Sequence, residues 1–171
     1  NGLVYLNGQW HLFFQLNPYG FGVGNTHWGH AVSDDLTHFR HLPCALLPDD
    51  TGRMYSGGGI VDFRNDSMLQ TGSQPPVLLY YTAGGSKERR CQGKRFEIYL
   101  AYSVDGGNTF TKKTDAPVVP HMAFMNRDPK VAWIDELQAY AMIVFLHDDV
   151  YRLLRSNDLK HWEILQDVVI T

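Results

Sequence analysis

The sequence predicts an all-β fold made of repeated four-stranded units. Three observations carry the prediction. The chain is a succession of short apolar runs that stop at Gly, Ser or Asp. No segment shows the capped, 3.6-residue apolar period that an amphipathic helix needs. One turn motif also occurs three times, with strands in the same order around each copy.

The first two strands lie in LVYLNGQWHLFFQLN (3–17), folded about Asn7-Gly8, a favoured hairpin dipeptide. A third ends in AVSDDLTHF (31–39), and FRHLPCALLP (39–48) supplies a fourth. The second unit opens with SGGGIVDF (56–63), continues through PVLLYYTAG (76–84), and meets the motif again in FEIYLAYS and AYSVDGGNTF (96–110). The third unit runs through DPKVAWI (128–134), AYAMIVFL (139–146), VYRLLRS into LRSNDLKHW (150–162), and WEILQDVVI (162–170). TGSQPP (71–76) and GGSKERRCQGK (84–94) read as exposed loops.

In each copy of the motif an apolar strand leads into Ser, one residue, Asp, a short turn and an aromatic. Ser33, Ser103 and Ser156 hold equivalent places. The chemistry is that of a turn: Ser and Asp side chains bond nearby backbone amides, and the aromatic pins the turn onto its sheet. The middle copy, S-x-D-x-G-x-T-F, is close to the Asp-box turn of several propeller families. The repeats span about residues 1–50, 51–120 and 121–171, and four strands per repeat marks a β-propeller blade. A β-sandwich explains the turns but not the repeated strand order. Propellers close with about 4–8 blades, so three blades are expected to be part of a larger ring.

Composition narrows the function. At 44% hydrophobic and 19% charged, the chain suits one soluble globular domain. A net charge of −3 and no basic cluster argue against nucleic acid, and no run of 18 apolar residues argues against a membrane span. Cys44 and Cys91 lack CxxC spacing, and the eight His form no HExxH, so no metal or cofactor is expected. The 13% aromatic content fits either a packed β core or a surface whose rings cover sugar faces.

The first strand of a propeller blade lines the central channel, and its opening residues face the mouth. Those residues are Asn1-Gly2, Met54-Tyr55-Ser56-Gly57 and Asn126-Arg127-Asp128-Pro129. Arg127 and Asp128 are therefore either a structural ion pair at a strand start or a clamp for a ligand. Trp28 reads equally as core or as site. Gln15, within an apolar strand, reads on its own as a buried amide.

NGLVYLNGQWHLFFQLNP, WGHAVSDDLTHF, MYSGG and NRDPKV, in that order and spacing, resemble the successive motifs of glycoside hydrolase family 32, the invertases, levanases and inulinases. The resemblance runs from residue 1 to about 165 and leans toward the levanase and exo-inulinase branch. It implies a five-bladed propeller that cleaves terminal β-fructofuranosyl residues of sucrose or fructans with retention. It also implies an extracellular or periplasmic setting, and partners in the rest of the ring and a C-terminal β-sandwich. By matching motif, Asp128 is implied as transition-state stabiliser, with Arg127 keeping it ionised and oriented. Gln15, Trp28, Tyr55 and Ser56 match fructose-contacting positions, with Tyr55 standing where the family has Phe. The nucleophilic Asp is expected two residues before Asn1 and the acid/base Glu just after Thr171. Retention needs two such carboxyls about 5–5.5 Å apart. The 171 residues alone are thus expected to be inactive. The alternative is a carbohydrate-binding propeller without catalysis. A sialidase-like propeller ranks lower, because it wants several strand-start arginines and Arg127 is the one such residue here.

Overall fold

The computed structural model describes residues 1–22, 24–85 and 91–170. Twelve strands form three antiparallel sheets. The first holds β1 (Gly2–Leu6), β2 (Gln9–Leu16), β3 (His27–Ser33) and β4 (Arg40–Leu46), and the second holds β5 (Arg53–Val61), β6 (Val77–Gly84), β7 (Glu97–Ser103) and β8 (Thr111–Lys113). The third holds β9 (Arg127–Ile134), β10 (Ala139–His147), β11 (Val150–Ser156) and β12 (Glu163–Val169). Each sheet is a meander in chain order, which makes it one propeller blade. A short 3₁₀ turn at Asp135–Leu137 joins β9 to β10. The hairpin at Asn7-Gly8 forms as expected, with both residues in the left-handed region that a type I′ turn requires (φ 53° and 82°). Part of the loop read in 84–94 lies outside the described residues.

The blades stack side by side, with β5 packed between β1 and β9, so the first strands line the axis. Close approach is what Gly57-Gly58-Gly59 provides. A Cβ on Gly58 would lie 2.8 Å from the Pro129 carbonyl oxygen, and one on Gly59 3.1 Å from Val4 Cγ1.

Two cores fill the seams. Val77, Leu79, Tyr81 and Ala83 of β6 point into the seam with the first blade, among Val4, Phe13, Trp28 and Leu46. Leu78 and Tyr80 point into the seam with the third blade, among Val131, Met142, Val144 and Leu154. Alternate residues thus serve opposite faces, which is why this strand is apolar without interruption.

The three Ser-x-Asp turns share one hydrogen-bonding scheme, with the middle turn one residue longer. Ser33, Ser103 and Ser156 are buried, and their hydroxyls accept the amides of Leu36 (2.8 Å), Gly107 (2.9 Å) and Leu159 (2.8 Å). Asp35, Asp105 and Asp158 each accept two amides further along the turn. Those bonds and a His partner hold Asp35 far below the usual carboxylate range; for Asp158 the same bonds prevail over the raising effect of burial.

The aromatic of the second and third turns also reaches beyond its own blade and packs on the preceding one. Phe110 meets Phe13 edge-on at 5.4 Å, and Trp162 meets Tyr80 edge-on at 5.7 Å. The Tyr80 hydroxyl also donates to the Leu159 carbonyl at 2.7 Å. Each of these rings thus joins an apolar cluster drawn from both blades of its seam. Phe39, the aromatic of the first turn, is exposed.

Candidate functional site at the channel mouth

Two β-bulges build the mouth. On β5, Met54 pairs with Ala83 and Gly57 with Tyr81, so Tyr55 and Ser56 together oppose Thr82. On β9, Arg127 pairs with Phe145 and Lys130 with Ile143, so Asp128 and Pro129 together oppose Val144. A bulge bends its strand and re-aims a side chain, and Pro is tolerated there because a bulged residue need not donate to the ladder. Both bulges lie at the same end of adjacent inner strands.

Thr82 ties them together. It is buried on β6, opposite the first bulge, and its hydroxyl accepts the Asp128 amide at 3.1 Å. Asp128 itself has φ 59°, a left-handed backbone conformation. Arg127 Nε donates to Asp128 Oδ2 at 3.1 Å, and its guanidinium lies 4.4 Å from the centre of the Phe145 ring. Held between ring and carboxylate, the guanidinium has a fixed direction. Both side chains remain partly open to solvent, 32% for Arg127 and 46% for Asp128, so a ligand has access to the pair.

The first blade supplies the other side. Gln15, near the end of β2, donates from Nε2 to Ser56 Oγ at 2.8 Å across the seam. The Asn1 amide, oriented so that donors meet acceptors, gives its NH2 to Ser56 Oγ (3.1 Å) and takes the Trp28 indole N–H on its oxygen (3.2 Å). Trp28 is wholly buried and also donates to the Tyr55 carbonyl at 2.8 Å. Trp28 therefore reaches the mouth through the backbone it holds rather than by offering a ring face. Tyr55 leans outward, its hydroxyl on the Gly85 carbonyl at 3.0 Å and its ring 5.1 Å from Phe96.

Of the residues singled out in the sequence, Gln15 and Ser56 meet directly, as do Arg127 and Asp128, while Trp28 supports Tyr55 from behind. Met54 and Asn126, also at strand starts, are fully buried instead. Sequence reasoning missed Thr82, which ends an apolar strand with no local motif to mark it. No group of three His, Cys, Asp or Glu among the described residues could hold a metal ion, and Cys44 and Cys91 are free thiols. None of the described helices is long and apolar enough to cross a membrane.

Fold and mouth together define a β-propeller with a polar channel entrance. Comparison with known proteins gives the family. The model of the glycosyl hydrolases family 32 N-terminal domain matches residues 1–170. Levanase of Bacillus subtilis (strain 168) is 41% identical over 163 residues, which are 95% of this chain and 23% of the levanase. Invertase of Schizosaccharomyces pombe is 36% identical over 173 residues, 95% of this chain and 28% of the invertase. The crystal structure of exo-inulinase from Aspergillus awamori superposes with a TM-score of 0.88 at 33% identity, covering 99% of this chain and 37% of that one. A curated sequence from the same fungus is named extracellular exo-inulinase. The chain belongs to glycosyl hydrolase family 32 and spans about a quarter of the levanase and invertase it matches.

Proposed function

We propose that the chain forms the fructose-gripping side of a retaining β-fructofuranosidase, an O-glycosyl hydrolase that releases terminal β-fructofuranosyl units from sucrose or from a fructan such as levan or inulin. The observation that carries this reading is the Arg127–Asp128 pair, raised on a bulge at the channel mouth and open to solvent. As the glycosidic bond breaks, positive charge grows on the sugar ring. A carboxylate already oriented toward the ring hydroxyls stabilises that state more than the ground state. Asp128 takes this part, and Arg127 orients it.

Gln15 and Ser56 contribute amide and hydroxyl groups to the fructosyl unit, Tyr55 flanks it, and Trp28 holds the Tyr55–Ser56 bulge in place. In this reading the nucleophile and the acid/base lie outside the 171 residues, in the rest of the propeller, with a C-terminal β-sandwich beyond. An extracellular setting is supported by the relative named extracellular exo-inulinase.

The test is fructose release from sucrose, levan and inulin by the full-length protein and its Asp128→Asn variant. The expected result is a fall in kcat of on the order of 100-fold or more, with a much smaller change in KM. A variant with near-normal kcat removes Asp128 from the mechanism. No fructose release by the folded wild-type protein overturns the enzyme reading and leaves the pair as a clamp.

A further inference from the structure

A second cavity opens at the same end of the molecule, toward the rim of the seam between the first two blades. It measures about 560 Å³, within the size range of small-molecule sites of roughly 300–1,000 Å³. The β4–β5 connection lines it with Asp49, Asp50 and Thr51, and the entry to β7 lines it with Lys94, Arg95 and Glu97. We propose that this cavity is a distal carbohydrate subsite that holds inner units of the same fructan chain whose terminal unit lies at the channel mouth, a proposal that rests on the function proposed above.

Four features of the cavity support it. Its charges balance: Asp49, Asp50 and Glu97 face Lys94 and Arg95, and Lys112 forms an ion pair with Asp49. With no net field to select an ion, the lining suits a neutral ligand bearing many hydroxyls. Second, carboxylates, a guanidinium, an ammonium and a threonine hydroxyl offer both donors and acceptors, the mixture a sugar's hydroxyls require. Third, aromatic rings back the wall. Tyr81 is fully buried, and its hydroxyl lies toward Asp49 and Thr51 of the lining. Its ring stacks on Tyr99, whose own hydroxyl donates to Glu97 at 3.0 Å.

Position is the fourth feature. The end of β4, the start of β5, the end of β6 and the start of β7 all lie at the mouth end, so the cavity and the Tyr55–Ser56 bulge share one face. Tyr55 stands between them, bonded to Gly85, whose amide in turn donates to the Lys94 carbonyl at 3.0 Å.

The test uses the full-length protein and the double variant Asp50→Ala/Arg95→Ala, which removes one charge of each sign from exposed positions. The expected result is a rise of about fivefold or more in KM for long levan or inulin, with kcat/KM for sucrose unchanged. Unchanged kinetics on both, or an equal loss on both, overturns the subsite. If the wild-type protein releases no fructose from sucrose, the proposed function fails separately, and the cavity is then judged by calorimetry with a levan oligosaccharide. Binding that the double variant weakens sustains the subsite, and no binding, or binding the variant leaves intact, overturns it.

Discussion

Asp128 holds a backbone conformation that few side chains tolerate. A positive φ of 59° just before Pro129 costs on the order of 1 kcal/mol or more, and Asp is among the few L-residues found there readily. Strain of this kind persists where surrounding contacts over-determine it, here Arg127, Thr82 and the fixed proline. A second residue-scale feature is the buried histidine pair. His11 Nδ1 and His30 Nε2 lie 3.0 Å apart, and the His30 ring stacks on Phe13. One of the two facing nitrogens donates and the other accepts, and charging His30 would bury a cation whose outer Nδ1 has no hydrogen-bond partner. Burial, and then the neighbouring His11, push His30 down to about 4. Arg40 and Asp105 line the cleft beside His11. Because the folded value lies below the unfolded one of about 6.5, the unfolded chain binds the extra proton. The contribution is fully present above about pH 6.5 and is lost as pH falls toward 4. Denaturant unfolding followed from pH 7 to pH 4 should show stability falling by on the order of 2 kcal/mol, and His30→Gln should flatten that slope.

At the scale of elements, the strands were legible and the bulges were not. PVLLYYTAG announces a strand buried on both faces because its apolar run has no gap. A bulge is different, since it is a property of two strands in register and neither sequence alone contains it. Pro129 and Gly57 permit the bulges at Asp128 and Tyr55–Ser56, yet both residue types occur elsewhere for other reasons. Thr82 shows the same limit, because its role exists only once β9 lies alongside β6. Thr82→Val keeps the shape and removes the acceptor of the Asp128 amide, leaving that donor without its partner. The full-length variant is expected to lose about 1–3 kcal/mol of stability and to lose kcat in excess of any KM change. A variant with unaltered kcat would detach Thr82 from the positioning of Asp128.

Over the whole molecule, the repeat of Ser33, Ser103 and Ser156 was enough to count blades, because local hydrogen bonding repeats with local sequence. Which blade each turn's aromatic touches was not readable, since that depends on how sheets stack. The seams matter energetically: in a row of repeats, each unit is stabilised mainly by its neighbours. Trp162 spans one such seam against Tyr80. Trp162→Ala should cost about 1–3 kcal/mol, less than a fully buried Trp, seen as a drop in the thermal unfolding temperature of the full-length protein. A shift within experimental scatter would mean the seam is held by Val131, Met142 and Leu154 without it.

The turns also have a direction. Phe110 of the second blade seats on the first, and Trp162 of the third seats on the second. Even the Gly107 backbone fits against His11, where a Cβ would come within 2.9 Å of the ring. During synthesis the N-terminal portion leaves the ribosome first, at about 5–20 residues per second. The surface each blade needs is therefore already made when its turn emerges, and assembly can keep pace with translation instead of waiting for the chain to be finished.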